Sequence, residues 1–313
     1  MSTKLQQLFS ILRDDSLPLP VSRLPELSDL PPAQLKLLQD IWGHIPASRK
    51  YSLLVELGQL ADLNFEYTFE TINRFALNDE DIDVRRTAIE NLWECEDITL
   101  APALLRVLQD DSSSDVRAAA ATALGPFLYL CEVTGRSSSL LREIEDGLLH
   151  ITAKDPEAHV RMSALAALGY SSRPEIPSLI HEVYDLGDDV NKGTALVAMG
   201  RSASEDWSAI LLAELHNPSP RLRSLAAQAV GEIELRASIP ELVHLLEDVD
   251  LDVRVSAIWA LGQIGGSQAI RHLEALLEKT DDEDEAALID EALDHAIFMD
   301  SMPDFSTDAS NSD

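Results

Sequence analysis

The chain has 313 residues, of which 45% are apolar and only 5% aromatic, and its formal net charge is −31. Such an excess of carboxylates repels phosphate backbones and anionic lipid, so we expect neither a nucleic acid nor a membrane as partner. Basic proteins are the electrostatically favoured partners. The length suits two ordinary domains or one extended repeat array.

The cysteine content and the N-terminal sequence indicate in which cellular compartment the protein is expected. Cys95 and Cys131 are the only cysteines, too few for a disulfide framework and without a CxxC pair that would bind a metal. No apolar run followed by a cleavage site opens the chain, and we expect no stretch of about 18 apolar residues able to span a bilayer. These features predict a cytoplasmic protein.

Residues 1–32 contain five prolines, all of them after a short amphipathic segment over residues 5–12. These prolines prevent a continuous helix beyond that segment. We predict a Pro-rich N-terminal arm over residues 1–32 that packs on, or trails from, the first helical repeat of the chain. From Ala33 onward the apolar residues recur at helical spacing.

A ten-residue motif then repeats along the chain, and its best copy is VRVSAIWALG at residues 253–262. We call the pattern V-R-x-x-A-x-x-A-L-G the kernel. The separations between successive basic positions, starting from a divergent copy with Lys50 in the arginine place, are 35, 32, 44, 31, 31 and 31 residues. A period of this size is typical of solenoid proteins. The other copies begin at Val84, Val116, Val160, Asn191 and Leu222.

Each period contains two predicted helices. The first, helix A, is exemplified by IPELVHLLED from Ile239, and the second, helix B, carries the kernel. Neither helix buries its apolar stripe alone, so neighbouring pairs must stack. We therefore predict an all-α fold over residues 33–297, an α-solenoid forming a right-handed superhelix of about seven or eight antiparallel helix pairs.

Two segments depart from the regular period. The 44-residue step indicates an insertion near residues 126–140, predicted to lengthen one helix B and to add a polar loop around residues 135–139. Insertions in solenoids map to loops, which are either functional or merely tolerated. Residues 278–313 carry 13 acidic residues and one lysine, and we predict that residues 298–313 form a disordered acidic tail, either a docking peptide or a solubilising one.

With an acid placed six residues before the basic position, the kernel resembles HEAT repeats. The similarity is to the short type of about 30 residues found in the family that includes phycobilisome lyase subunits. It covers about residues 45–297 and rests on six spaced copies. The resemblance implies a fold more than a function, because the family includes scaffolds, adaptors and a few enzymes.

The resemblance also implies a structural ladder, in which turn acids and helix B arginines connect neighbouring repeats. A planar guanidinium suits bidentate contact with a carboxylate, so we assign these residues to structure. The copy at Asn191 departs from the pattern, because Lys192 replaces arginine and Leu186 stands in the acid position. The ladder acids are Asp79, Asp111, Asp155, Asn217 (an amide in the acid place) and Asp248, and their proposed partners are Arg85, Arg117, Arg161, Arg223 and Arg254.

Motifs for catalysis or metal binding are weak. The Asp-rich turns beginning at Asp79 and Asp248 imitate an EF-hand loop but carry valine where calcium loops need glycine. His181-Glu182 is the only His-Glu dipeptide, and no GxSxG, P-loop or GxGxxG occurs. We predict no cofactor, no metal site and no catalytic residue.

In HEAT arrays helix B lines the concave face, so the resemblance places the sixth and tenth residues after the kernel valine on one exposed strip. Aromatic and arginine side chains in such a strip are typical protein-binding anchors. We predict a non-enzymatic scaffold or adaptor for a basic protein or peptide; the alternative is a lyase-like or chaperone accessory acting on a pigment-bearing or modified protein. A pocket of convergent polar groups with perturbed acids would favour the alternative. The predicted protein-binding residues are Glu90, Glu94, Tyr170, Arg201, Gln228, Glu232, Trp259 and Gln263.

Overall fold

The structure, a computed structural model, describes residues 3–135 and 138–301. Over these two ranges it contains seventeen α-helices, four short 3-10 helices and no β-strand. The chain divides into two compact units, residues 1–164 and residues 165–313. The all-α class predicted from the sequence is confirmed.

The first unit begins with α1 and continues through successive helix pairs. The pairs are α2 with α3, α4 with α5, α6 with α7, and α8 with the greater part of α9. Their bounds are α1 Thr3–Leu12, α2 Pro32–Trp42, α3 Ala47–Leu63, α4 Glu70–Ala76, α5 Ile82–Glu90, α6 Ala101–Asp110, α7 Ser114–Thr134, α8 Ser138–Lys154 and α9 Ala158–Leu168. The 3-10 helices of this unit are Val21–Leu27 and Ile98–Leu100.

The N-terminal arm packs on the first unit. Leu8 and Leu12 of α1 are fully buried, and so are Leu24 and Leu27 of the following 3-10 helix. Arg49 of α3 holds the end of α1 and the segment after it by donating from Nη2 to three backbone carbonyl oxygens, at distances of 3.3, 2.9 and 2.7 Å. One guanidinium thus binds carbonyl oxygens at the end of α1 and in the turns that follow it.

The insertion near residues 126–140 lengthens two helices. Helix α7 runs for 21 residues and continues through Pro126, and α8 begins at Ser138. Of the predicted loop over residues 135–139, Ser138 and Ser139 belong to α8, Gly135 adopts a left-handed φ of 60° at the end of α7, and residues 136 and 137 lie outside the described part. The expectation that no segment is long and apolar enough to span a bilayer is wrong for α7 by length and composition. Half of its most apolar window is nevertheless buried inside the protein, and a long core helix has the same composition.

The second unit contains four complete pairs after the end of α9. Helices α11, α13, α15 and α17 pack on one another in succession, and each also packs on the helix that precedes it. The bounds are α10 Ile176–Tyr184, α11 Asp189–Arg201, α12 Ser208–Glu214, α13 Pro220–Glu232, α14 Ile239–Leu245, α15 Leu251–Ile264, α16 Gly266–Leu277 and α17 Glu283–Ser301. The 3-10 helices here are Glu205–Trp207 and Arg236–Ser238.

The kernel explains this stacking. In α15 the kernel residues Val253, Ala257, Ala260 and Leu261 are all fully buried. Alanine at two of these places lets neighbouring B helices approach closely, while valine and leucine bury apolar area. The stacked pairs make the fold an α-solenoid, as predicted. The described residues contain eight helix pairs, and α17 extends to Ser301, past the predicted boundary at residue 297; residues 302–313 lie outside the described part.

Candidate functional site

The ladder arginines bridge one turn to the next repeat. Arg85 donates from Nε and Nη2 to the carboxylate of Asp111, at 2.7 and 2.8 Å. Its Nη1 donates to the carbonyl oxygen of Asp79, six residues earlier, at 2.8 Å. The acid of an arginine's own turn therefore contributes its carbonyl group, and its carboxylate does not pair with that arginine as the sequence pairing proposed. The same bidentate geometry joins Arg117 to Asp155 and Arg223 to Asp248.

The ladder has substitutes where the pattern fails. Lys50 and Trp42 both donate to Asp79, at 2.7 and 2.5 Å. Lys192 donates to Glu214 at 2.8 Å, so a carboxylate three residues before Asn217 serves the lysine. The remaining members are Arg161, which donates to the carbonyl oxygens of Asp155 and Pro156, and Arg254, whose Nε lies 3.6 Å from Glu285.

These carboxylates are held ionised. Hydrogen bonds from Arg117 to Asp155, and from Arg223 to Asp248, lower the pKa of each acid below its ordinary value. Burial alone would raise the pKa of Asp111, but hydrogen bonds from Arg85 and from the Ser113 amide outweigh it. Carboxylates already satisfied in this way are poorly suited to proton transfer. The geometry fits a structural role.

The predicted binding residues of the first unit lie at the end of α5. Glu90 is exposed and lies 3.9 Å from Arg86 of its own helix. Glu94 follows the helix end instead of continuing it, because α5 stops at Glu90. Glu94 lines a cavity of about 230 Å³ together with Phe65, whose side chain is 89% exposed.

In the second unit an aromatic and a cationic side chain meet. The guanidinium carbon of Arg201 lies 5.2 Å from the ring centroid of Tyr170. Tyr170 lies just beyond the end of α9, and Arg201 is the last residue of α11. Both are half-buried, so neither belongs to the closed core.

The other four predicted residues line one cavity of about 400 Å³ between α13, α15 and α17. Trp259 is 40% exposed there, so its indole is available to a ligand. The lining contains no lysine and no arginine. It consists of Gln228, Glu232, Val255, Ser256, Ile258, Trp259, Gln263, Leu288, Glu291, Ala292 and His295.

Two kernel glycines make room for the acidic and aromatic members of this cavity. A Cβ placed on Gly231 would lie 2.7 Å from Cζ3 of Trp259, so the indole lies directly against the helix backbone. The carboxylate of Glu232 lies in the same way over Gly200 of the preceding repeat. Glycine at these helix positions permits a contact that any other residue would block.

Glu232 has a large solvent-exposed surface area, but its side chain is surrounded by the walls of the cavity. That partial desolvation raises the pKa of Glu232, and the positive charge of Arg201 offsets only part of the effect. Neither Glu232 nor Glu291 has an ion-pair partner within 4 Å in the described part of the chain. The cavity therefore offers two carboxylates that, among the described residues, are not taken up by an ion pair, although the charge of Arg201 acts on Glu232.

Sequence reasoning missed the contribution of α17. Trp259 directly precedes Ala260, which packs on Gly231; in the same way Glu291 directly precedes Ala292, which packs on Gly262. Glu291 and His295 thus continue the sixth-place and tenth-place rows with a register shift of one residue. Because α17 has no kernel, this register could not be assigned by aligning kernels. The signal in the sequence was Ala292, which takes the place of the alanine that contacts the glycine of the preceding repeat. His295 is oriented by its Nδ1, which donates to the carbonyl oxygen of Gly262 at 3.1 Å.

The described residues hold no group of three or more His, Cys, Asp or Glu side chains arranged to bind a metal ion. Of the remaining cavities, one of about 330 Å³ is lined by Arg173, by His181 of α10 and by Trp207. Its rings are in mutual contact, with the His181 and Trp207 centroids 4.7 Å apart. The Trp259 cavity brings together four of the predicted binding residues.

Three solved structures are similar to this chain. The complex of CpcE and CpcF of phycocyanin lyase from Nostoc sp. PCC7120 is 22% identical, with 72% of this chain and 94% of that chain covered and a TM-score of 0.47. Human deoxyhypusine hydroxylase in complex with glycerol is 18% identical over 94% of this chain and 96% of that chain, with a TM-score of 0.38. An engineered protein is 17% identical, with 94% of this chain and 99% of that chain covered and a TM-score of 0.36.

No protein of curated function matches the sequence. The family model described as HEAT repeats matches residues 59–143 and 208–294, together more than half of the chain. The first matched segment contains the bidentate Arg85–Asp111 pair, and the second contains the Arg223–Asp248 pair. The chain therefore belongs to the HEAT-repeat family.

Proposed function

We propose that this protein is a non-enzymatic scaffold or adaptor that binds a basic segment of another protein. The observation that carries the proposal is the cavity between α13, α15 and α17. It exposes the indole of Trp259 beside two carboxylates and is lined by no basic residue other than His295. A partially exposed tryptophan in a concave site is a common anchor in protein interfaces.

The charge of the whole chain supports a basic partner. With a net charge of −31, the molecule attracts cationic segments over distances up to the Debye length, about 8 Å at physiological salt. Short-range selectivity then comes from the cavity, where neither Glu232 nor Glu291 forms an ion pair within 4 Å in the described part of the chain and the charge of Arg201 offsets only part of the desolvation of Glu232. Steering and local complementarity favour the same class of partner.

The test uses fluorescence anisotropy with a short fluorescein-labelled peptide of alternating arginine and alanine. Trp259→Ala is expected to weaken binding about tenfold or more, because a central tryptophan anchor contributes at least about 1.4 kcal/mol. Trp93→Ala is the matched control, since Trp93 is 63% exposed but lies in the first unit. Circular dichroism of both variants verifies the fold.

Unchanged binding by Trp259→Ala would contradict the proposal, and so would equal binding of the peptide in which glutamate replaces arginine. Higher salt is expected to weaken the arginine peptide's binding to both the wild type and the Trp93→Ala variant. That response follows from screening of exposed charges.

A second function has one observation in its favour. Gln228, Ser256, Gln263 and His295 converge in the same cavity as Glu232, whose pKa burial raises. Such a site suits a lyase-like or chaperone accessory of a pigment-bearing protein. The two carboxylates oppose this function, because open-chain tetrapyrrole pigments carry propionate groups of the same charge. An absorbance titration with biliverdin tests it: a saturable shift lost in His295→Ala supports it, and no shift excludes this pigment.

A further inference from the structure

We propose that the Trp259 cavity holds one arginine side chain of the bound partner, with its guanidinium group between the indole and the carboxylates of Glu232 and Glu291. This inference rests on the proposed function, since it names the partner side chain that enters the same groove. Three features of the lining support arginine: its apolar walls, its exposed aromatic face and its excess of acceptors.

The walls accommodate an aliphatic stem. Ile258 of α15 is buried, and Leu288 of α17 is 37% exposed at the cavity. Val255 and Ala292 complete the apolar part of the lining. Long basic side chains bury their methylene groups along such surfaces while the charged end stays among polar groups.

The indole favours a guanidinium over an ammonium group. A planar guanidinium stacks on an aromatic face and loses less hydration when it does so. The second unit already contains one such contact, with Arg201 lying 5.2 Å from the centre of the Tyr170 ring. Trp259 presents the same kind of surface without an arginine of the chain's own in the cavity lining.

The acceptors match the five N–H donors of arginine. Gln228 donates from Nε2 to Ser256 at 3.1 Å, which leaves the amide oxygen of Gln228 able to accept. His295 donates from Nδ1 to the Gly262 carbonyl, and in that tautomer Nε2 is a further acceptor. Two carboxylates add the charged acceptors. A lysine has only three donors and would leave more of these groups unsatisfied.

The experiment follows the indole N–H signal of Trp259 by NMR in the full chain, assigned by its loss in Trp259→Phe. The probes are Nα-acetyl-arginine methylamide, the citrulline counterpart, which is a neutral isostere of arginine, and the lysine counterpart. We expect a saturable shift with arginine, binding about tenfold weaker with citrulline, and binding several-fold weaker with lysine. Glu232→Gln and Glu291→Gln are each expected to weaken arginine binding several-fold.

Equal binding of citrulline or lysine would overturn the arginine assignment, as would a Trp259 signal that does not move while other indole signals do. Unchanged affinity in the Glu232→Gln, Glu291→Gln double variant would do the same. The arginine–alanine peptide separates the two proposals. If that peptide still requires Trp259 while these probes show no arginine preference, only the present inference fails; if the peptide does not bind, the proposed function fails.

Discussion

Arg223 illustrates how one residue joins two repeats. It makes four hydrogen bonds, two to the carboxylate of Asp248 and two to the carbonyl oxygens of Asn217 and Pro218. Arg223 and Asp248 are 14% and 10% exposed, so both charges are largely removed from water. A charge in that position is tolerable only while its partner is present.

Asp248→Asn is therefore expected to lower the free energy of unfolding by about 2–3 kcal/mol, because it leaves the Arg223 guanidinium without a charged partner. Glu285→Gln is the matched control in the same unit: the distance from Arg254 is 3.6 Å and the two side chains are 28% and 22% exposed. Its expected cost is below about 1 kcal/mol. Urea denaturation of the full chain measures both values. An equal decrease in the free energy of unfolding for the two variants would show that the buried Arg223–Asp248 pair stabilises the fold no more than the more exposed pair does.

At the scale of whole helices, neighbouring repeats are joined by close packing of their B helices. Each kernel glycine of the second unit faces the backbone of the next B helix: the Cβ position of Gly231 lies 2.9 Å from Cα of Ala260, and that of Gly262 lies 3.0 Å from Cα of Ala292. Backbone atoms cannot move away as a flexible side chain does. The glycine that ends each kernel is thus required by packing between helices, not by a turn.

Gly231→Ala is expected to destabilise the protein by about 1–3 kcal/mol through overpacking, although alanine is intrinsically better than glycine inside a helix by about 1 kcal/mol. Gly43→Ala is the control, since no heavy atom lies within 4 Å of its Cβ position and its φ is −63°. That control should leave thermal stability unchanged or slightly raised. A shifted Trp259 fluorescence spectrum in Gly231→Ala alone would locate the strain at the cavity.

The whole molecule should unfold in acid because its ladder carboxylates have depressed pKa values. Hydrogen bonds from arginine side chains lower the pKa of Asp155 and of Asp248. Burial alone would raise the pKa of Glu214, but hydrogen bonds from Lys192 and Tyr184 outweigh that effect and lower it. The unfolded chain then binds protons first, near pH 4, so stability rises with pH through that region and is lost as pH falls. Glu232 has the opposite sign: its raised pKa makes ionisation in the folded state unfavourable as pH increases.

We expect the melting temperature to fall steeply below about pH 4 in the wild type and less steeply in an Asp155→Asn, Asp248→Asn double variant, which starts lower at neutral pH. Glu232→Gln should raise the melting temperature at neutral pH while weakening binding of the basic peptide. Thermal melts between acid and neutral pH measure these slopes. Parallel curves for the wild type and the double variant would contradict the assignment of the ladder acids.

Much of the fold was predictable because its information is local and periodic. The kernel places Val253, Ala257 and Ala260 on one face of a helix, and repetition of that face every 31 residues or so requires neighbouring pairs to stack. The same helical geometry predicted that Gln228, Glu232, Trp259 and Gln263 would lie together, and all four line one cavity. A repeat array makes such placement possible from sequence since each unit contacts only its neighbours.

The sequence by itself determined the helix pairs, the acidic surface and the rows along the B helices. Only the tertiary structure decided that Asp111 pairs with Arg85 and not with Arg117, because the partner of a guanidinium depends on where the next turn lies. It also decided that Glu291 and His295 join the cavity, since α17 lacks the kernel and its register is set by contact of Ala292 with Gly262. Periodicity determines which face of a helix is buried, whereas register and side-chain partners depend on contacts between helices that no single repeat contains.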